Sequence, residues 1–227
     1  ARLKAAKQKA FIAYLAAGPD IVIQKRATPL TERSSLDAGG KPVEGGHLLL
    51  DLTELNTLVK ETPDARQWIL RTYGSNEFIQ GKPRFCLWIP DKDALRATEY
   101  PSISARITAV RSFRRNSPKA ATQRGAEWPH RFEEAKQTGR ERIIIVPKVS
   151  SESRPFLQAG ILPPGTIITD LAFGMYDAPL WNMAVIASRL HLVWIATVCG
   201  QLETRLRYSN TLGWNTFPVP LLTEQNK

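Results

Sequence analysis

The run Arg142-Ile-Ile-Ile-Val146 constrains the fold most, because an unbroken apolar stretch of this length makes a fully apolar strand. Downstream, Ile161 to Phe173 is punctuated by Pro163-Pro-Gly165 and reads as turn then strand, so residues 141–173 are expected to form a hairpin or meander. Lys82–Ile89 gives another strand, bounded by Gly81 and Pro90, and Ile21-Val-Ile23 a short one. Helical spacing surrounds them. Residues 2–16 place Leu3, Ala6, Ala10, Phe11, Tyr14 and Leu15 near one face, ending at Gly18-Pro19. Asp51 to Thr72 reads as two helices broken at Thr62-Pro63, since proline suits a first helical turn. Ile103 to Arg124 is a helix with Ile103, Ile107, Val110 and Phe113 inward. A long buried helix runs from about Pro179 to Gly200, where glycine supplies a left-handed cap. Between them, Thr28 to Gly46 is a polar loop rich in glycine. The expectation is an α+β fold, a mixed or antiparallel sheet with packed helices.

With 227 residues and 43% hydrophobic content the chain can build a real core, as one large domain or two small ones. Its formal charge of +10 is unevenly spread. Residues 1–33 carry seven Lys/Arg against two acids and residues 101–140 nine against three, whereas residues 34–100 sum to −2. Charge gathered in two stretches suggests a footprint for a polyanion such as nucleic acid. Cys86 and Cys199 each sit in an apolar run, which favours buried thiols over a disulfide framework. No signal-peptide pattern is present, so a cytoplasmic, reducing location is expected. Asn182, Arg189 and His191 interrupt the longest apolar stretch and make it costly in a bilayer, so no membrane partner is expected.

Nucleotide, zinc and flavin chemistry find no seat: glycine-rich phosphate loops, His-Glu-x-x-His and paired Cys-x-x-Cys are all missing. His47, His130 and His191 lack ligand spacing and read as ordinary core or surface histidines. Pro19-Asp20 and Pro90-Asp91 resemble the start of a nuclease motif without its second carboxylate, which metal-dependent cleavage needs. Asn215-Thr-Phe-Pro218 lacks the two prolines of an amino-methyltransferase loop. No catalytic residue and no metal ligand is assigned.

Four segments suit DNA instead. The helix 103–124 carries Arg106, Arg111, Arg114, Arg115, Lys119 and Arg124 with no acid, which fits phosphate neutralisation. Val146 to Arg154 sets hydroxyls, Ser151 among them, beside Lys148, Glu152 and Arg154; an ordinary polar turn explains that spacing equally well. Thr169-Asp170 lies at the end of the next strand. Glu203, Arg205 and Arg207 alternate on one face of an extended segment, with Leu202, Thr204 and Leu206 on the other. A carboxylate can accept from cytosine N4 while a guanidinium donates twice to guanine, so Glu203 with Arg205 could read one C·G pair. The plain alternative is a surface ion pair worth at most about 1 kcal/mol.

Several motifs then match a known family. They are Ile12-Ala-Tyr-Leu-Ala-Ala-Gly-Pro-Asp-Ile-Val, Gly39-Gly-Lys-Pro-Val-Glu-Gly-Gly, Gly81-Lys-Pro-Arg-Phe-Cys-Leu-Trp, Arg111-Ser-Phe-Arg, Pro147-Lys-Val-Ser-Ser-Glu-Ser-Arg and Leu162-Pro-Pro. The most specific is Cys199-Gly-Gln-Leu-Glu-Thr-Arg-Leu-Arg-Tyr-Ser-Asn-Thr, continuing to Phe217-Pro-Val-Pro. Over nearly its whole length the chain resembles the target recognition domain of MmeI-like restriction-modification enzymes, which fuse an endonuclease, an adenine-N6 DNA methyltransferase and this DNA-reading domain. The resemblance implies double-stranded DNA as partner, together with a methyltransferase domain of the same parent chain. It implies a recognition domain over 17–220, with 1–16 ending a connecting helix and 221–227 starting a C-terminal extension. S-adenosylmethionine would serve the parent, with no cofactor in this segment. Glu203 and Arg205 match the family's specificity pair in its Glu/Arg form, which implies C just after the target adenine on the methylated strand. Lys148, Asp170 and Leu171 lie near other base-reading positions. Lys148 departs from a common arginine and cannot make the same bidentate contact, and Trp214 stands where tyrosine is frequent. Arg207 is assigned to phosphate, and Ser151, Glu152 and Arg154 to bases. Phe217-Pro-Val-Pro-Leu-Leu-Thr-Glu-Gln also resembles the end of a detached type I specificity subunit. A rival of another class is an enzyme with an unfamiliar site, marked by a perturbed carboxylate pair in a deep pocket.

Overall fold

The computed structural model describes residues 22–219 and Thr223. The expected helix over 2–16 and the expected extension at 221–227 lie outside the described residues, Thr223 excepted. In chain order the elements begin with β1 (Asp37–Ala38), β2 (Leu49–Leu50), α1 (Leu52–Glu61), β3 (Ile69–Tyr73), α2 (Ser75–Gln80), β4 (Arg84–Leu87), α3 (Ala94–Thr98), α4 (Pro101–Arg115) and α5 (Ala120–Arg124). They continue with β5 (Ile143–Pro147), β6 (Val149–Ser150), β7 (Gly160–Leu162), β8 (Thr166–Ile168), β9 (Ala172–Tyr176), α6 (Trp181–Ile186), α7 (Arg189–Val198), β10 (Gln201–Leu202) and β11 (Arg205–Arg207). The fold is α+β.

Two four-stranded sheets, β1-β9-β5-β7 and β2-β4-β3-β8, carry the molecule, and a small sheet β10-β11-β6 is attached to them. All pairings are antiparallel except β3 with β8, which run parallel with Tyr73 opposite Ile168. The apolar run at 143–146 is explained by its two faces. Ile144 and Val146 enter one core with Phe173, Met175, Ile195 and Trp214, while Ile143 and Ile145 enter another with Leu162, Ile168 and Ala172. A strand covered on both sides has no solvent face to make polar. Each of these four side chains is 0–1% exposed, and each such burial stabilises by about 2 kcal/mol. A third core lies under the other sheet, where Leu50, Cys86, Leu87 and Ile167 meet Leu58, Trp68 and the inner stripe Ile103, Ile107, Val110 of α4.

Several expected elements are divided. The 103–124 helix stops at Arg115 and restarts at Ala120, because Pro118 disfavours helical backbone at Ser117. The 179–200 helix breaks where Ser188 accepts from the His191 N–H as the N-cap of α7, and Gly200 takes no left-handed conformation. That helix is buried on one face only: Leu190 and Val193 are exposed. After Pro63 a 3-10 helix to Trp68 leads into β3, so the second expected helix there is a 3-10 segment followed by strand. Val22 and Ile23 are exposed and form no strand. Cys86 is buried, Cys199 half-buried, and both thiols are free. Burial pushes the Cys86 thiol up to about 12. No described helix is long and apolar enough to cross a membrane.

Candidate nucleic-acid interface

The segment expected to be an extended row at 201–207 is a tight hairpin. β10 pairs with β11 through Gln201↔Leu206 and Leu202↔Arg205, which leaves Glu203 and Thr204 as a two-residue loop. Such loops need positive φ at a turn position, and Glu203 takes it, with φ +57°. A non-glycine residue there costs about 1 kcal/mol. Leu206 points into the core beside Tyr208, whereas Leu202 stays 42% exposed, so the two leucines do not share one buried face. At the tip, Arg205 Nη2 donates to Glu203 Oε2 at 2.7 Å, with both side chains largely exposed. An exposed pair of this kind contributes about 0–1 kcal/mol, so a ligand displaces it cheaply.

β11 lies antiparallel to β6, Leu206 opposite Ser150 and Arg207 opposite Val149. The pairing carries the hairpin onto the 148–154 segment. There the Glu152 carboxyl is held below the usual range by its own backbone N–H, then by a hydrogen bond from Thr204 and the charge of Arg205. The result is one cleft of about 550 Å³, lined by Lys148, Ser151, Arg154, Leu171, Arg205 and Arg207 together with Leu202 and the α2 residues Ser75, Asn76 and Ile79. Lys148 Nζ sits 4.8 Å from the centre of the Phe173 ring. Burial lowers the Lys148 pKa, against which the facing Asp170 carboxylate raises it, while Lys41 and Arg207 lower it further.

Asp170 and Leu171 occupy a loop pinned on every side. The Gln137 carboxamide is buried and pairs with both backbone groups of Ile168. Thr169 N donates to Tyr73 O at 2.9 Å and Asp170 N to Gly40 O at 2.8 Å. The Leu171 carbonyl accepts from Ser75 Oγ. Leu171 itself is 60% exposed and forms the ridge between the cleft and a smaller hollow of about 160 Å³ that Asp170, Thr72 and Arg84 help line. A fixed backbone that presents an exposed side chain is a preorganised contact.

The expected phosphate-binding set divides differently. Arg114 is a correction: it is 0% exposed. Its guanidinium donates to the carbonyls of Val43, Gly125, Trp128, Pro42 and Arg131 at 2.7–3.1 Å. All five donors of the side chain find carbonyls, so none is left for a phosphate. Phe113, expected inward, is instead 46% exposed. Arg106 is partly buried, donating to His47 O and pairing with Glu54 at 3.2 Å. Arg115, Lys119 and Arg124 are exposed and Arg111 half-exposed. Arg207 stands in the cleft with Lys148, Arg154 and Arg205.

The model of the family "MmeI, target recognition domain" matches residues 17–221. The chain belongs to the MmeI target recognition domain family. DNA methyltransferase A of Bacillus subtilis (strain 168) is 33% identical over 214 residues, covering 94% of this chain and 24% of that protein. A solved structure of the type IIL restriction-modification enzyme MmeI in complex with DNA superimposes with a TM-score of 0.88 at 30% identity, covering 96% of this chain and 29% of that one. This MmeI-type domain therefore spans about a quarter of its relatives' length, and the α+β architecture is the family's. Sequence reasoning missed Ser75, Asn76 and Ile79 as parts of the cleft. The available signal was Gly74-Ser-Asn-Glu77, a helix-start pattern in which Glu77 reaches back to Gly74 N at 3.0 Å.

Proposed function

We propose that this domain reads a short, asymmetric double-stranded DNA site for a parent DNA adenine-N6 methyltransferase of the restriction-modification type. In that parent it would present the site's adenine to the methyltransferase domain. The observation that carries the reading is the convergence of three separate chain segments, 148–154, 171 and 202–207, on one cleft lined by Lys148, Arg154, Arg205 and Arg207, with the carboxylates of Asp170, Glu152 and Glu203 beside those cations. Such a mixture of donors and acceptors suits base edges in a major groove, whereas phosphate binding needs only cations. Lys148 faces Asp170 and Arg205 faces Glu203, two donor–acceptor couples each able to address one base pair. The exposed Arg115, Lys119 and Arg124, with Arg111, would neutralise backbone charge. The relatives' names support the same reading: one is a DNA methyltransferase and the other a restriction-modification enzyme bound to DNA.

S-adenosylmethionine would serve the parent chain from another domain. The cleft does not suit it, because Lys148, Arg154, Arg205 and Arg207 would repel its sulfonium. No described cluster of three or more His, Cys, Asp or Glu is arranged to hold a metal ion. Asp91 has its carboxyl held low, first by a hydrogen bond with His130, as suits an ion-pair partner better than a general acid. A parent that modifies bacterial DNA would act in the cytoplasm.

The test is methylation-site selection from a random duplex library by the full-length parent, unmodified and as Glu203→Lys/Arg205→Asp. Exchanging the couple should exchange C·G for G·C at one position beside the methylated adenine. An unchanged site would overturn the assigned role of the hairpin tip.

A further inference from the structure

Ser75 ties together two reading segments that different strands deliver. Lys148 lies between β5 and β6, and Leu171 between β8 and β9. The Ser75 hydroxyl accepts from Lys148 N–H at 3.0 Å and donates to the Leu171 carbonyl. A single side chain thereby fixes the offset between these two backbones. The parallel pairing of β3 with β8 places it there, since Tyr73 lies opposite Ile168 and both chains continue toward the cleft. The fit is close: a Cβ on Gly74 would lie 3.1 Å from Thr169 Oγ1 and 3.2 Å from Leu171 Cβ. Asn76, the next residue, is exposed and lines the same cleft as Lys148, Arg154 and Arg205. A carboxamide offers a donor and an acceptor side by side, the combination that matches the N7 and N6 of adenine.

We infer that the Ser75-Asn76 turn is a further reading segment, with Ser75 the positioning residue that sets Lys148 against Leu171 and Asn76 an additional base-edge contact. The inference rests on the proposed DNA-reading role of the cleft. It is tested in the full-length parent by profiling methylation over a randomised duplex library, with Lys148→Ala and Glu203→Lys/Arg205→Asp as references. Asn76→Ala should lower discrimination about tenfold at one base pair, at a position other than the one the double exchange alters. Because Asn76 is exposed, this variant does not put folding at risk. Ser75→Ala should blur the same position as Lys148→Ala, and Ser75→Thr, which keeps the hydroxyl, should restore it. An unchanged profile for Asn76→Ala removes the base contact. Equal loss of methylation at every site in Ser75→Ala, an unaltered profile, or no recovery in Ser75→Thr removes the positioning role. If the double exchange shifts the site while these variants do not, only this inference falls; if the double exchange shifts nothing, the reading of the cleft falls first.

Discussion

Arg114 and Phe113 compete for one position in the inner stripe of α4. From Val110 a helix returns to the same face after three or four residues, so spacing alone admits either one. Hydrophobicity favours Phe113, yet Arg114 is buried and Phe113 packs near Gly45 at the surface. The reason lies outside the helix. The chain at 42–43 and at 125–131 turns its carbonyls toward one point, and Val43 is held at φ +41°, where a β-branched residue is an outlier. Only a planar side chain with five donors satisfies that convergence. Burial lowers the Arg114 pKa, while the charges of Glu133 and Glu44 raise it. Arg114→Leu should therefore destabilise the protein by about 3 kcal/mol or more, since several carbonyls lose their donor inside the protein. Arg115→Ala, an exposed change on the same turn, should shift stability by less than about 0.5 kcal/mol. Denaturant midpoints of the two variants check this; similar midpoints would mean that the carbonyl cluster is satisfied without Arg114.

At the scale of elements, what was legible followed local pattern, and what was not depended on distant pairing. β4 and β5 were readable because Gly81 and Pro90 bound the first and an apolar run defines the second. The hairpin at 201–207 was not, because its loop is Glu203-Thr204 and carries none of the Asn-Gly or Gly-Gly signals that mark such turns. The cleft was half legible. Lys148, Arg154 and Arg205 could be chosen by chemistry, whereas Ser75 and Asn76 arrive through the β3–β8 pairing, to which no short window of sequence points. The glycine-rich segment behaves likewise. It reads as a loop, yet Gly39 N donates to Ala172 O and Gly40 O accepts from Asp170 N, making the segment a strut under the 169–171 loop. A Cβ at Gly39 would lie 2.3 Å from the Thr169 carbonyl oxygen, backbone that cannot step aside. Gly39→Ala should cost more than about 2 kcal/mol through that overlap. At Gly46 a Cβ meets nothing within 4 Å and only the φ of +86° resists, so Gly46→Ala should cost about 1 kcal/mol. Thermal unfolding of the pair decides it, and the reverse ordering would show that the strut does not bear on Thr169.

Across the whole molecule, the core beneath the hairpin joins the proposed reading site to stability. Tyr208 follows directly on Arg207, its ring packs edge-on against Phe173, and its hydroxyl lies 2.9 Å from His191 Nε2 on α7. His191 is 0% exposed, with Trp214 and Phe217 against its ring. Burial, and then the charge of Arg33, lowers its pKa to about 3 from the ordinary 6.5. The folded state therefore holds His191 neutral at a pH where the unfolded chain is already protonated. Wherever the unfolded state binds more protons, stability rises with pH. The contribution of His191 is thus fully present above pH 6.5 and is lost as pH falls from there toward 3. The carboxyls held low in the fold, Asp91 and Glu152 among them, have ordinary values of 3.8 and 4.5, so they add their own losses mostly below pH 5. Between pH 6.5 and 5 the protein should lose on the order of 2 kcal/mol through His191. His191→Gln, which cannot titrate but can still bond to Tyr208, should be less stable at pH 7 and nearly flat across that interval. Denaturant unfolding at half-unit steps of pH measures both slopes. Equal slopes would assign the acid sensitivity to another group and detach the 201–207 hairpin from the protonation state of the core below it.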